Sequence, residues 1–164
     1  QLTVEFPDIV LALGGEDRDP GARNLLEREA RRLNIEDRIE FLGTVSGVAK
    51  EREIRDADML ILPSHTENMP ISLIEGMAAA LPVIGTNVGA IPEMIRDGET
   101  GFVVKVQDTD ALAARIADLC RDPCLGNRLG KAAQIYARST WDADVVAEQT
   151  MRLYRKLATG EGVQ

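Results

Sequence analysis

Two glutamates, Glu67 and Glu75, stand eight positions apart in the stretch His65–Phe102, HTENMPISLIEGMAAALPVIGTNVGAIPEMIRDGETGF. Pro70 lies between them. Proline has no N–H to donate and is tolerated only at the start of a helix. The spacing therefore predicts Glu67 in a loop and Glu75 in the early turns of a helix over Ile71–Leu81. The first amides of a helix have no intrahelical acceptor and point toward incoming anions. A phosphate there is held by backbone. Carboxylates on either side suit sugar hydroxyls, which need acceptors at fixed positions, and suit phosphate itself badly. Each glutamate also has a plainer reading. Ser72–Glu75, SLIE, has the spacing of a capping box, in which the fourth residue folds back to the cap amide. On composition alone, Glu67 reads first as a solvated loop carboxylate. Spacing leaves these alternatives open.

The elements that must position these groups show in the hydrophobic pattern. Asp8–Gly15, DIVLALGG, is an apolar run stopped by glycines, as expected of a buried central parallel strand. Before it, a helix end and a break at Pro7 are expected. Arg38–Gly43, Met59–Ser64, Pro82–Thr86 and GFVVKV (101–106) read as four more strands. Helices alternate with them. PGARNLLEREARRLNI carries Leu25, Leu26, Ala30 and Leu33 at helical spacing, and its EREARR run reads as a solvated face. Val45–Asp58 is a short polar helix, and AIPEMIRDG is a shorter one closed by Gly98. DTDALAARIADLCRD opens with Asp108 or Thr109 as cap. PCLGNRLGKAAQIYARS and DADVVAEQTMRLYRKLA complete the series, and the tail TGEGVQ is expected to fray. Such alternation implies an α/β protein with a Rossmann-like, doubly wound parallel sheet and helices on both faces. Ligands of such sheets sit beyond the carboxyl ends of the strands, here Gly14, Gly43, Ser64 and Thr86.

A length of 164 residues suits one domain with a real core. The net charge of −8 argues against a nucleic-acid footprint and against attraction to an anionic membrane. No apolar stretch reaches the length of a membrane span, and no signal sequence opens the chain. Cys120 and Cys124, at a helix corner around Pro123 with no histidine nearby, make a poor metal site and read as reduced thiols.

The run PSHTENMPISLIEGMAAALPVIGTNVGAIPEMIRDGETGFVV resembles the signature of the group-1 (family 4) glycosyltransferases of GT-B fold. The matching positions are Glu67, Glu75, Met77 to Ala79, Pro82 to Ile84, Gly89, Pro92 with Glu93, and Asp97 to Gly101. DRIEFLGTV upstream, and DTDALAARIADLCRDP and STWD downstream, extend the likeness more weakly over nearly the whole chain. The resemblance implies the C-terminal, nucleotide-sugar-binding domain of such an enzyme, over 1–164, a hexosyltransferase that retains anomeric configuration without metal or other cofactor. It implies that Glu67 contacts the donor sugar and stabilises positive charge developing at the anomeric carbon. Asn68 and Met69 would complete the donor-sugar contact. Glu75 would hold the ribose, the amides of Ile71, Ser72 and Leu73 the diphosphate, and the backbone at Thr44 and Val45 the nucleobase. The implied partners are a nucleoside-diphosphate sugar and an N-terminal acceptor domain, with no nucleic acid. The implied place is the cytoplasm, any peripheral attachment to the cytoplasmic membrane belonging to the absent half.

This chain departs from the family pattern in three places. Asn68-Met69-Pro70 replaces the common Gly-aromatic-Gly, so Pro70 removes an amide and Asn68 adds a side-chain one. Ala80 stands where a helix-ending glycine is common, implying a tighter turn before Pro82. The family's phosphate-binding Arg and Lys, the first strand and helix, and the acceptor domain with its catalytic histidine all fall before Gln1, so the chain is expected to be one half of a longer protein and inactive alone. The resemblance gives His65 no role, and it reads as a loop or packing residue. Glu93 reads as a cap or packing residue, and Trp141 as the anchor of the last helix. Two other readings are a nucleotide-sugar epimerase half, which needs acid/base groups that are not assembled here, and a non-catalytic nucleotide-binding or scaffold domain, of which a scaffold need not bind nucleotide.

Overall fold

The structure, a computed structural model, describes residues 2–16 and 21–159. The chain forms two compact units, Gln1–Asp56 and Ala57–Gln164.

In the first unit a short helix α1 (Leu2–Glu5) leads to β1 (Leu11–Gly14), α2 (Ala22–Leu33), β2 (Ile39–Gly43) and α3 (Gly47–Asp56). β1 and β2 are parallel, Leu11 opposite Ile39 and Gly14 opposite Gly43, with a slip in register after Leu13. The charged face of α2 is solvated, as its sequence implies. Arg32 pairs with Glu29 and Arg23 with Glu27, all on the outside. The Arg32 hydrogen bond holds the Glu29 carboxyl below its usual range. The expectation of a buried β1 fails. Leu11 is 44% exposed, and among the described residues of this unit only Ala30 is a fully buried apolar side chain. An apolar run dictates a strand, but burial needs layers packed on both its faces, and this unit does not supply them.

The second unit holds β3 (Leu60–Leu62), α4 (Ile71–Ala78), β4 (Val83–Thr86), α5 (Ile91–Met94) and β5 (Gly101–Val104), then α6 (Thr109–Arg121), α7 (Pro123–Trp141) and α8 (Ala143–Thr159). The sheet runs β3-β4-β5, all parallel, with Ile61, Ile84 and Phe102 side by side. β4 is central and buried at every position. Leu73 and Met77 of α4, Val83, Ile91 and Met94, and Ala133 and Ala137 of α7 make the core around it. Gly76 lets α4 approach the sheet, since a Cβ there would stand 2.9 Å from Leu60 Cδ1. Trp141 packs edge-on against Tyr136 at 5.2 Å, and both rest on this core. The anchor therefore closes α7, not the last helix. In α8 no described side chain is buried.

Helix ends follow sequence where side-chain chemistry sets them. Asp108 caps α6 by accepting from the Ala111 amide at 2.9 Å, and Asp122 caps α7 from Leu125 at 3.0 Å. Cys120 and Cys124 flank that second cap and are not joined in a disulfide. α4 stops three residues short of the expected Leu81. Ala80 takes a left-handed backbone, φ 64°, and its carbonyl lies where a Cβ on Gly130 of α7 would have to go. An alanine here adopts the conformation a glycine takes at no cost. Of the TGEGVQ tail, Thr159 ends α8 and residues 160–164 lie outside the described residues.

Candidate functional site

The carboxyl edge of the three-stranded sheet carries the groups singled out in the sequence. β3 ends at Leu62, and Pro63–Pro70 forms a loop leading into α4. Pro70 is the N-cap, φ −73° and ψ 115°, with no side-chain cap bond. Its fixed φ, missing N–H and extended ψ set the first helical residue at Ile71. Ser72 is then already inside the helix, so the capping-box reading of Ser72–Glu75 does not hold. Glu75 is the fifth helical residue, half-buried, about 6 Å along the axis from the helix start at ~1.5 Å per residue.

Glu67 lies in the loop, half-buried rather than fully solvated. Its Oε1 accepts a hydrogen bond from the Ser64 hydroxyl at 2.9 Å. Ser64 is itself held, because the buried Thr86 hydroxyl at the end of β4 donates to the Ser64 carbonyl at 2.6 Å. The next loop, Asn87–Ala90, packs against the Glu67 loop. The Ala90 amide donates to the Asn68 carbonyl at 2.9 Å. Gly89, φ 52°, passes so close to the Glu67 carbonyl that a Cβ would overlap it. Asn87 ties this second loop to the exit of β5, its amide donating to Val104 and its side chain accepting from Val106 at 3.2 Å. The sequence places Thr86 at the ligand edge and Gly89 in the family-like run, but it does not show that these two and Ala90 hold the Glu67 loop. Their signal was faint: a strand-terminal Thr followed three residues later by a glycine.

The other candidates are distributed as follows. Asn68 and Met69 are exposed on the Glu67 loop, Met69 at 48%. Ile71 and Ser72 are exposed at the head of α4, and their amides lie in the part of the turn with no intrahelical acceptor. Leu73 is fully buried and its amide donates to the Pro70 carbonyl at 3.2 Å, so its side chain serves the core. Thr44 and Val45 belong to the first unit, just past β2, where Gly43 turns with φ 65° and accepts from the Gly15 amide at 2.8 Å. His65 is exposed beside Ser64. Glu93 is exposed on α5, and its carbonyl faces the Tyr136 hydroxyl at 3.4 Å. Among the described residues, no group of three or more His, Cys, Asp and Glu could hold a metal ion, and no helix is long and apolar enough to cross a membrane.

This arrangement can offer one oriented loop carboxylate, a second carboxylate a turn into the helix, and first-turn amides between them. That set suits a ligand carrying hydroxyls on both sides of an anion.

Known proteins resemble this chain in sequence and in fold. The family model described as glycosyl transferases group 1 matches residues 1–136. D-inositol 3-phosphate glycosyltransferase of Streptomyces scabiei is 37% identical over 123 residues, 74% of this chain and 28% of the relative. Phosphatidyl-myo-inositol mannosyltransferase of Mycobacterium tuberculosis is 34% identical, covering 100% of this chain and 43% of its own length. The chain thus spans less than half the length of these curated relatives. Among solved structures, sucrose-phosphate synthase of Thermosynechococcus elongatus superposes with a TM-score of 0.81 at 30% identity over 92% of this chain and 39% of that one. Anabaena HepE in complex with UDP gives 0.85 at 21% identity over 92% and 42%, a likeness of fold alone.

Proposed function

This chain belongs to the group 1 glycosyl transferases, and on that footing we propose that it is the donor-binding part of an enzyme that moves a sugar from a nucleoside diphosphate to a hydroxyl acceptor with retention. The observation that carries the reading is the Glu67 carboxylate, held by Ser64 at the mouth of α4. In this reading the amides at the head of α4 take the diphosphate. Glu75 accepts from the ribose hydroxyls, and Glu67, with Asn68 and Met69 beside it, faces the sugar. The backbone at Thr44 and Val45 is assigned the base on the family resemblance. That no metal is required is carried over from the family resemblance, in which an Arg and a Lys outside this chain meet the diphosphate. The acceptor is bound by residues outside this chain, so the 164 residues alone bind donor weakly and transfer nothing. Relatives named for action on inositol phosphate and phosphatidyl-inositol support a hydroxyl-bearing acceptor.

Calorimetric titration of the full-length protein with UDP and with GDP tests the reading. Saturable binding of one of them is expected. Silence toward both would leave a scaffold that kept the fold and lost the ligand.

A further inference from the structure

We propose that Ser64 is a positioning residue for the donor-sugar carboxylate: its hydroxyl fixes Glu67, and the Thr86 side chain fixes Ser64. The inference rests on the reading above, in which Glu67 faces the donor sugar.

The direction of each hydrogen bond is forced. The Ser64 carbonyl can only accept, so Thr86 spends its single hydroxyl proton there at 2.6 Å. The Glu67 carboxylate can only accept, so Ser64 spends its proton on Oε1 at 2.9 Å. The chain of two bonds thus has one proton order and one rotamer for each hydroxyl. It begins on a residue 3% exposed at the end of the central, fully buried strand. It ends on a half-buried loop side chain that otherwise has three rotatable bonds to lose.

The choice of donor matters chemically. A lysine or arginine at position 64 would orient the same carboxylate but neutralise it. A neutral hydroxyl holds Oε1 and leaves the carboxylate's negative charge to act at the anomeric carbon. A group asked to stabilise charge that develops only in the transition state gains from being fixed beforehand. Ser64 therefore acts on turnover more than on binding of the nucleotide, whose contacts lie on α4.

The test uses the full-length protein. Donor turnover is read as nucleoside diphosphate released from a panel of nucleotide sugars that includes UDP-glucose and GDP-mannose. Ser64→Ala lowers kcat about 10-fold and leaves the Kd for the bare diphosphate within about twofold. Ser64→Thr, which keeps the donor, restores most of kcat. Ser64→Cys, of similar size but a weak donor, behaves like Ser64→Ala. In a Glu67→Ala background, Ser64→Ala has no further effect, since the two residues act as one unit. A purely structural role predicts the opposite: additive losses, a fall in melting temperature, and rescue by Cys. Either of two results overturns the inference alone: a Ser64→Ala enzyme with normal kcat beside an impaired Glu67→Ala, or additive effects in the double variant. A normal Glu67→Ala, or a wild type inert toward the whole panel, overturns the functional reading itself.

Discussion

Thr86 and Ser64, 22 positions apart, are joined by a hydrogen bond of 2.6 Å from the Thr86 hydroxyl to the Ser64 carbonyl. The bond locks the end of β4 to the loop that carries Glu67. Thr86→Val keeps the shape and removes the donor, leaving a part-buried carbonyl unpaired. It should cost about 1–3 kcal/mol, read from the midpoint of urea unfolding. A midpoint unchanged from wild type would mean that water replaces the hydroxyl and the lock is not rigid.

Gly89 and Gly98 make a matched pair. Both have positive φ, 52° and 75°. A Cβ at Gly89 collides with the Glu67 carbonyl, whereas at Gly98 it meets nothing within 4 Å. Gly98→Ala should therefore cost only backbone strain, about 1 kcal/mol, with activity unchanged. Gly89→Ala should cost about 2 kcal/mol or more, because the Glu67 loop must move as well. It should also lower turnover of the full-length protein. Equal stability losses with equal activity in the two variants would contradict the packing described.

Glu75 distinguishes a helix cap from a ligand contact. With Pro70 as the N-cap and Ser72 already helical, no capping role remains for it in a box with Ser72. Glu75→Gln should weaken nucleoside diphosphate binding by about 1.5–3 kcal/mol, the worth of a hydrogen bond to a charged group. Calorimetry on the full-length protein measures it. Unchanged affinity with a lowered melting temperature would return Glu75 to a structural role.

Ala80 offers a gain in stability. Its left-handed backbone strains an alanine by about 1–2 kcal/mol, against about 0.4–1 kcal/mol of extra unfolded-state entropy for glycine. Ala80→Gly should then stabilise by up to about 1 kcal/mol. Gly130→Ala, which drives a methyl into the Ala80 carbonyl, should destabilise by about 2 kcal/mol or more. Thermal unfolding of the two single variants checks both signs.

The strands were legible because apolar runs stopped by Gly, Ser or Thr have few other solutions. The cap of α6 was legible to within one residue, Asp108 or Thr109, and Asp108 takes it because its carboxylate needs only the Ala111 amide three residues on. The loop at Pro63–Pro70 was legible from Pro70. What was not legible depended on contacts distant in sequence. Nothing local says that Thr86 will reach Ser64, or that Gly89 is excluded from alanine by the Glu67 carbonyl. The end of α4 was misjudged because the alanine-rich run reads as helix to Leu81, although Ala80 stands where the family has a helix-ending glycine and takes that glycine's φ. The burial of β1 was misjudged because an apolar run reports what a strand can bury, not what covers it. Within the SLIE stretch, capping-box spacing competed with Pro70, and the proline's fixed φ decided the start of the helix.

The most direct measurement of the central claim is the split between turnover and nucleotide binding in a full-length Glu67→Ala variant. If Glu67 stabilises charge that appears as the glycosidic bond breaks, kcat should fall about 100-fold or more, equivalent to roughly 2.7 kcal/mol of transition-state stabilisation. The Kd for the bare nucleoside diphosphate should stay within about twofold, because that ligand has no sugar for the carboxylate to touch. A Glu67→Ala enzyme with normal kcat would contradict the account, as would a loss confined to diphosphate affinity.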